Sequence, residues 1–271
     1  MLETIGTLLL VGCGKMGSAL LRGWLEAGLK PSQVSVIDPH PSNWLLGLAE
    51  QGLVLNQPPQ QAPDVAVIAT KPQIMQDAVP GLKGFGGGRT LFLSIAAGTM
   101  ISAFEDMLGA GTPVVRAMPN TPAAIGQGVS GIVGNAAARA QMPLAEALMR
   151  AAGQVVLLDN EEQMHAVTAL SGSGPAYVFA MTEALISAGQ AAGLSADMAR
   201  GLAVAMVAGS GQLMAQTGEE PRELRRQVTS SNGTTAAGLA VLQQEQNGIA
   251  DLIQKTVEAA KARSVELAAG P

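Results

Sequence analysis

A glycine-rich turn and two polar junctions carry most of the chemistry open to this sequence. Val11–Gly17 reads VGCGKMG, with Gly12, Gly14 and Gly17 in the spacing G-x-G-x-x-G between a β-rich run and a helical one. There the first glycine permits a tight turn, the second lets the backbone approach a pyrophosphate, and the third lets helix and strand pack closely. Cys13, Lys15 and Met16 share that loop, and the Cys13 thiol reads as a spectator. Asp38 closes the next β-rich run, where a carboxylate either accepts adenosine ribose hydroxyls or simply forms a turn before Pro39. A ribose 2′-phosphate would meet its charge, and Pro39–Gly47 contains no Arg or Lys, so NADH is favoured over NADPH. Further on, ALSGSGPAY at Ala169–Tyr177 and VTSSNGTTAAG at Val228–Gly238 read as loop-to-helix junctions. Pro175 suits a first helical position, Asn232–Gly233 suits a sharp turn, and Thr234 and Thr235 suit a cap. Bare amides at such a helix start bind a carboxylate.

These residues need a scaffold, and the pattern of elements supplies one. Leu8–Val11 precedes a helical Met16–Ala27, Val34–Asp38 precedes Asn43–Gln51, and Val65–Ala69 precedes Ile74–Leu82. Further strands are expected at Leu91–Ile95, Val114–Met118, Gly131–Gly134 and Val155–Leu158. The alternation predicts an α/β class with an N-terminal Rossmann-like, doubly wound, mainly parallel sheet. From Glu161 strand signals stop, and helices are expected at Glu162–Leu170, Ala176–Ala192, Ala196–Gln216, Pro221–Val228, Thr235–Gln246 and Ile249–Ala268. Residues 1–160 are therefore assigned to dinucleotide binding and 161–271 to an all-α dimerisation and substrate-binding domain. Two of the helices are so poor in large polar residues that both faces must be covered, which predicts a homodimer built through them.

The 271 residues are 48% hydrophobic and 14% charged, a globular composition with a net charge of −5. No basic run accompanies the four Phe, two Trp and one Tyr, which excludes a nucleic-acid surface and leaves a small-molecule partner. Cys13 is the only cysteine, so no internal disulfide forms, and with His40 and His165 as the only histidines no metal site is expected. Gly201–Gly218 lacks charge, but Ser210, Gln212, Gln216, Thr217 and its glycines argue against a membrane span. Met1–Gly6 has no basic region, and a cytoplasmic protein is expected.

Over nearly the whole chain, these motifs resemble the pyrroline-5-carboxylate reductase family. The resemblance adds three segments: VIATKPQ at Val67–Gln73, like the family's lysine-proline loop, SIAAG at Ser94–Gly98, and VVRAMPNTPAAIGQG at Val114–Gly128. Together with the glycine turn and Asp38 they give Ala69, Lys71, Pro72, Ala96 and Asn120 as cofactor-binding residues. Lys71 either stabilises charge on cofactor or substrate or is a solvated loop lysine. The resemblance implies hydride transfer from NADH or NADPH to the imine carbon of 1-pyrroline-5-carboxylate, giving L-proline. It implies that the amides of Asn232, Gly233 and Thr234 hold the carboxylate and that Thr235, the catalytic residue, sets its hydroxyl at the ring nitrogen. Ser231 stands where proline is usual, and Ser173 either contacts the nicotinamide end of the pocket or only eases helix packing. Family helices interlock between two subunits to complete each active site, and dimers often form decamers. A cyclic imine can be protonated before it reacts, which suits a chain with no convincing acid-base histidine.

Overall fold

The computed structural model describes Leu2 and residues 5–269. By its internal contacts the chain divides into two compact units, one running to Ser173 and resuming at Ala260, the other Gly174–Ala259.

The first unit is built on an eight-stranded sheet. Its strands are β1 (Leu8–Val11), β2 (Val34–Ile37), β3 (Val54–Leu55), β4 (Val65–Ile68), β5 (Leu91–Ser94), β6 (Val114–Met118), β7 (Gly128–Gly134) and β8 (Gly153–Leu157). They lie in the order β3-β2-β1-β4-β5-β6-β7-β8. The pairs from β3 to β6 are parallel, β7 runs antiparallel to β6, and β8 runs parallel to β7. The mainly parallel sheet expected from the alternation is present. The two-residue β3 is too short to have left a pattern, and β7 begins three residues before the expected Gly131 because Gly128 and Val129 pair with β8.

Alternate residues of each inner strand enter different cores, as a parallel sheet covered on both faces requires. Leu8, Leu10, Val65, Val67, Leu91 and Leu93 join one cluster, and Leu9, Val11, Ala66, Ile68 and Phe92 join the other. Helix α1 (Lys15–Glu26) covers the first face with Leu20, Leu21 and Trp24. The Trp24 indole N–H donates to the Leu148 carbonyl at 2.8 Å, fixing α1 against the helix that holds Leu148. Beyond α2 (Asn43–Ala49) and α3 (Pro72–Ala78) lie α4 (Ile101–Leu108) and α5 (Met142–Arg150), helices absent from the sequence reading. Helix α4 buries Ile101, Phe104 and Leu108 at helical spacing on the second face, and each such side chain contributes roughly 1.5–3 kcal/mol.

The second unit is helical, with α7 (Gly174–Ala191) and α8 (Ala196–Thr217) following a short α6 (Gln163–Val167) that belongs to the first. The Ser195 side chain caps α8 at Met198, and Gly218, at φ 65°, ends it in the left-handed conformation. Neither α7 nor α8 separates an apolar from a polar face: Phe179 is 61% exposed and Leu202 60%. Helices α9 (Pro221–Gln227) and α10 (Thr234–Leu242) follow, then α11 (Ile249–Ala269), whose residues from Ala260 onward count with the first unit. There the buried His165 ring shares a 3.0 Å hydrogen bond with Ser264, a structural task in keeping with a histidine outside the chemistry.

Candidate active site

The glycine turn leaves β1 where the sheet order reverses between β2 and β4, the crevice in which doubly wound sheets hold ligands. Register aligns Val11 with Ile37 and Ile68, and Ile68 with Ser94, so the turn, Asp38 and the segments after β4 and β5 emerge along one edge. Each glycine has a distinct physical reason. Gly12 has φ +89°, and a Cβ there would stand 2.8 Å from the Ala69 carbonyl oxygen. A Cβ on Gly17 would collide with the Gly12 carbonyl, whereas at Gly14 nothing lies within 4 Å. That open approach, and an α1 start with no side-chain cap, fit a dinucleotide pyrophosphate. Lys15 and Met16 occupy the first turn of α1, with Lys15 exposed.

Asp38 is tied into this turn. Its carboxylate accepts from the Cys13 N–H at 2.7 Å and from the His40 N–H at 2.8 Å. Its own N–H donates to Asn56 Oδ1, and Asn56 is held at φ 53° just beyond β3. The Cys13 thiol is buried beside the Ser18 hydroxyl, and desolvation is the main cause that raises its pKa above the ordinary value. It stays a neutral thiol at neutral pH, which suits a spectator.

Beyond β4, Ala69 bonds back to the Val11 carbonyl, Lys71 is exposed at the start of α3, and Pro72 opens that helix with its side chain outside the described residues. Between them the Thr70 hydroxyl is buried without a hydrogen-bond partner. After β5, the Ser94 hydroxyl accepts from the Ala96 N–H, and Gly98, at φ +76°, leaves room for Leu267. A cavity of about 570 Å³ lies behind this turn, lined by Met75, Gly98, Thr99, Met100 and Met107 among others and by none of the glycine-turn residues.

Asn120, expected beside the nicotinamide, is held from both sides. It is 8% exposed, its Oδ1 accepts from the Val129 N–H at 2.9 Å, and its Nδ2 donates to the Ser171 carbonyl at 3.1 Å. With both ends of the amide engaged, it braces the Met-Pro-Asn-Thr-Pro turn. A few residues earlier, Arg116 is 2% exposed inside β6 and donates to Glu161 Oε1 at 2.9 Å. The same oxygen accepts the Ile101 N–H at the start of α4, so one carboxylate ties two strand-end segments together. Arg116, Glu161 and Asn56 escaped the sequence reading. An arginine inside the apolar run VVRAM was the available signal, since a buried guanidinium requires a partner.

The Ala169–Tyr177 junction is not a loop. Helix α6 passes into a π-helical turn at Thr168–Gly172, in which the Ser173 N–H donates to the Thr168 carbonyl at 2.9 Å. The amides expected to face an anion are thus taken into a helix, and Gly174 begins α7. The widened turn leaves the Ser171 carbonyl to Asn120, and Gly172 presses on Met118, 2.7 Å from where a Cβ would stand.

The second junction does leave a helix start open. Ser230–Gly233 closes a turn through Gly233 N–H to the Ser230 carbonyl at 3.1 Å, with Asn232 at φ 61°. The Gly233 N–H is engaged within this turn. Gly233 rather than a threonine caps α10, and Thr234 and Thr235 are its first two helical residues, both exposed. The expected end at Gln246 was also too long, because α10 stops at Leu242. No side chain caps the Thr234 and Thr235 end, so these amides suit an anion.

Comparison with known proteins decides the family. The model described as pyrroline-5-carboxylate reductase dimerisation matches residues 161–267. The model described as NADP oxidoreductase, coenzyme F420-dependent, matches residues 7–103. The pyrroline-5-carboxylate reductase of Pseudomonas aeruginosa is 38% identical over 262 residues, covering 95% of each chain. The chain belongs to the pyrroline-5-carboxylate reductase family. Two solved members of that family share its fold. The reductase from Coxiella burnetii superposes with a TM-score of 0.89 at 31% identity, over 97% of this chain and 99% of its own. The Plasmodium falciparum pyrroline carboxylate reductase with NADP bound gives 0.81 at 28%, over 98% and 99%. Among the described residues no helix is long and apolar enough to cross a membrane, and no group of His, Cys, Asp and Glu suits a metal ion.

Proposed function

We propose that this chain reduces 1-pyrroline-5-carboxylate to L-proline with NADH or NADPH, the last step of proline biosynthesis. The observation that carries the reading is end-to-end likeness to reductases of that name, 38% identity across 95% of both chains. When bound, the reduced nicotinamide would supply a hydride for the imine carbon, with the ring nitrogen already protonated from solvent before the transfer. The chain's own residues bind and orient. Gly12, Cys13, Gly14, Lys15, Met16 and Gly17 receive the pyrophosphate, and Asp38 keeps lone pairs for ribose hydroxyls, which favours NADH. Ala69, Lys71, Pro72 and Ala96 line the nicotinamide side, and Asn120 braces it. At the start of α10 the amides of Thr234 and Thr235 hold the substrate carboxylate, with Ser231, Asn232 and Gly233 shaping the turn. Thr235 sets its hydroxyl at the ring nitrogen, and Ser173 is the remaining substrate contact. Orientation and fixed dipoles then supply most of the rate.

In this reading residues 1–160 form the dinucleotide-binding domain and 161–271 the helical dimerisation and substrate-binding domain of a cytoplasmic enzyme. The uncovered apolar side chains of α7 and α8 support a homodimer through these helices, and dimers of this kind can assemble into a decamer. The test is loss of nicotinamide absorbance with 1-pyrroline-5-carboxylate and identification of proline as product. Oxidation of neither cofactor by protein that binds both would refute the reading.

A further inference from the structure

The segment after β2 offers no cation of its own to a ribose 2′-phosphate, since Pro39–Gly47 has neither Arg nor Lys. The fold brings one from another helix. Arg22, on the exposed side of α1, places its guanidinium carbon 3.9 Å from the centroid of the Trp44 ring. Trp44 lies in the first turn of α2, immediately past the loop that Asp38 opens. Stacking engages the face of a guanidinium and leaves its in-plane N–H donors pointing outward, the arrangement that receives a phosphate through two parallel bonds. Among the described residues no carboxylate lies within ion-pair distance of Arg22. Asp38 meanwhile accepts one backbone N–H at each carboxylate oxygen, which commits one lone pair of each and leaves the other. Behind desolvation and the Ser18 hydrogen bond, Asp38 raises and Arg22 lowers the pKa of the Cys13 thiol.

We propose that Arg22, held over Trp44, receives the ribose 2′-phosphate and offsets Asp38, giving this chain use of NADPH beside NADH. The inference rests on the dinucleotide reading above. It makes discrimination between the cofactors a balance of one carboxylate on the second strand and one guanidinium on the first helix.

The test uses the full chain and four probes: NADPH and NADH followed by nicotinamide fluorescence, and adenosine 2′,5′-bisphosphate and 5′-ADP followed by calorimetry. Arg22→Met keeps an apolar stem over the indole and removes the charge. It is expected to weaken NADPH and the bisphosphate about tenfold, the scale of a lost charge-assisted hydrogen bond, while NADH and ADP change less than about twofold. Arg22→Lys should retain part of the phosphate affinity, and Trp44→Leu, which keeps the cation but frees it, should lose part of it. Equal loss for both cofactors, or no loss for either, would overturn the role of Arg22. Failure of the parent protein to bind any of the four would overturn the dinucleotide reading and this role together.

Discussion

At Asp38 a carboxylate holds the glycine turn through the Cys13 amide and shapes its own loop through the His40 amide, while Asn56 fixes its backbone. The acid at the end of β2 was legible because the motif is local. Its partner Asn56 was not, because β3 is two residues long and the contact spans 18 positions of sequence. The Arg116–Glu161 pair spans 45 and was hidden for the same reason. Thr235 is the residue on which the chemistry is most exposed to test. Thr235→Ala should lower kcat roughly ten- to a hundredfold, as loss of one donor at a charge-bearing atom does, with cofactor dissociation constants unchanged. Thr235→Ser should restore most of the rate, and an alanine variant of normal rate would remove the hydroxyl from the mechanism.

The Ser230–Gly233 turn is the element that makes the substrate end. Asn232 carries the positive φ of its third position, which leaves Ser231 at the second, where proline is pre-set for the geometry. Ser231→Pro is therefore expected to raise stability by about 0.4–1 kcal/mol through the unfolded chain and to lower KM for the imine. Urea melts and initial rates check both, and a less stable protein with a raised KM would show that the turn needs another conformation at 231. This turn could be read from Asn-Gly alone. The π-helical turn at Thr168–Gly172 could not, because Ser-Gly-Ser-Gly favours a loop locally and the helix is held by tertiary contacts, Asn120 on Ser171 and Met118 on Gly172. Helices α4 and α5 were missed because each is short and sits between strands among Gly and Pro.

For the whole molecule, the parallel sheet was readable from alternation, since the central strands β1 and β4 are apolar on both faces and the strands alternate with helices or turns. The apolar residues of α7 and α8 were readable too, and in the proposed homodimer a second chain covers them. Leu202→Asp on α8 should convert an oligomer into species near the 27.5 kDa chain mass, seen by light scattering, with rate falling as the assembly is lost. An unchanged assembly would place the interface elsewhere. The most direct measurement is nicotinamide oxidation with 1-pyrroline-5-carboxylate, NADH and NADPH run in parallel and proline identified as product. Proline formed in step with oxidation of both cofactors is the predicted result, and protein that binds the cofactors yet forms no proline with either would contradict it.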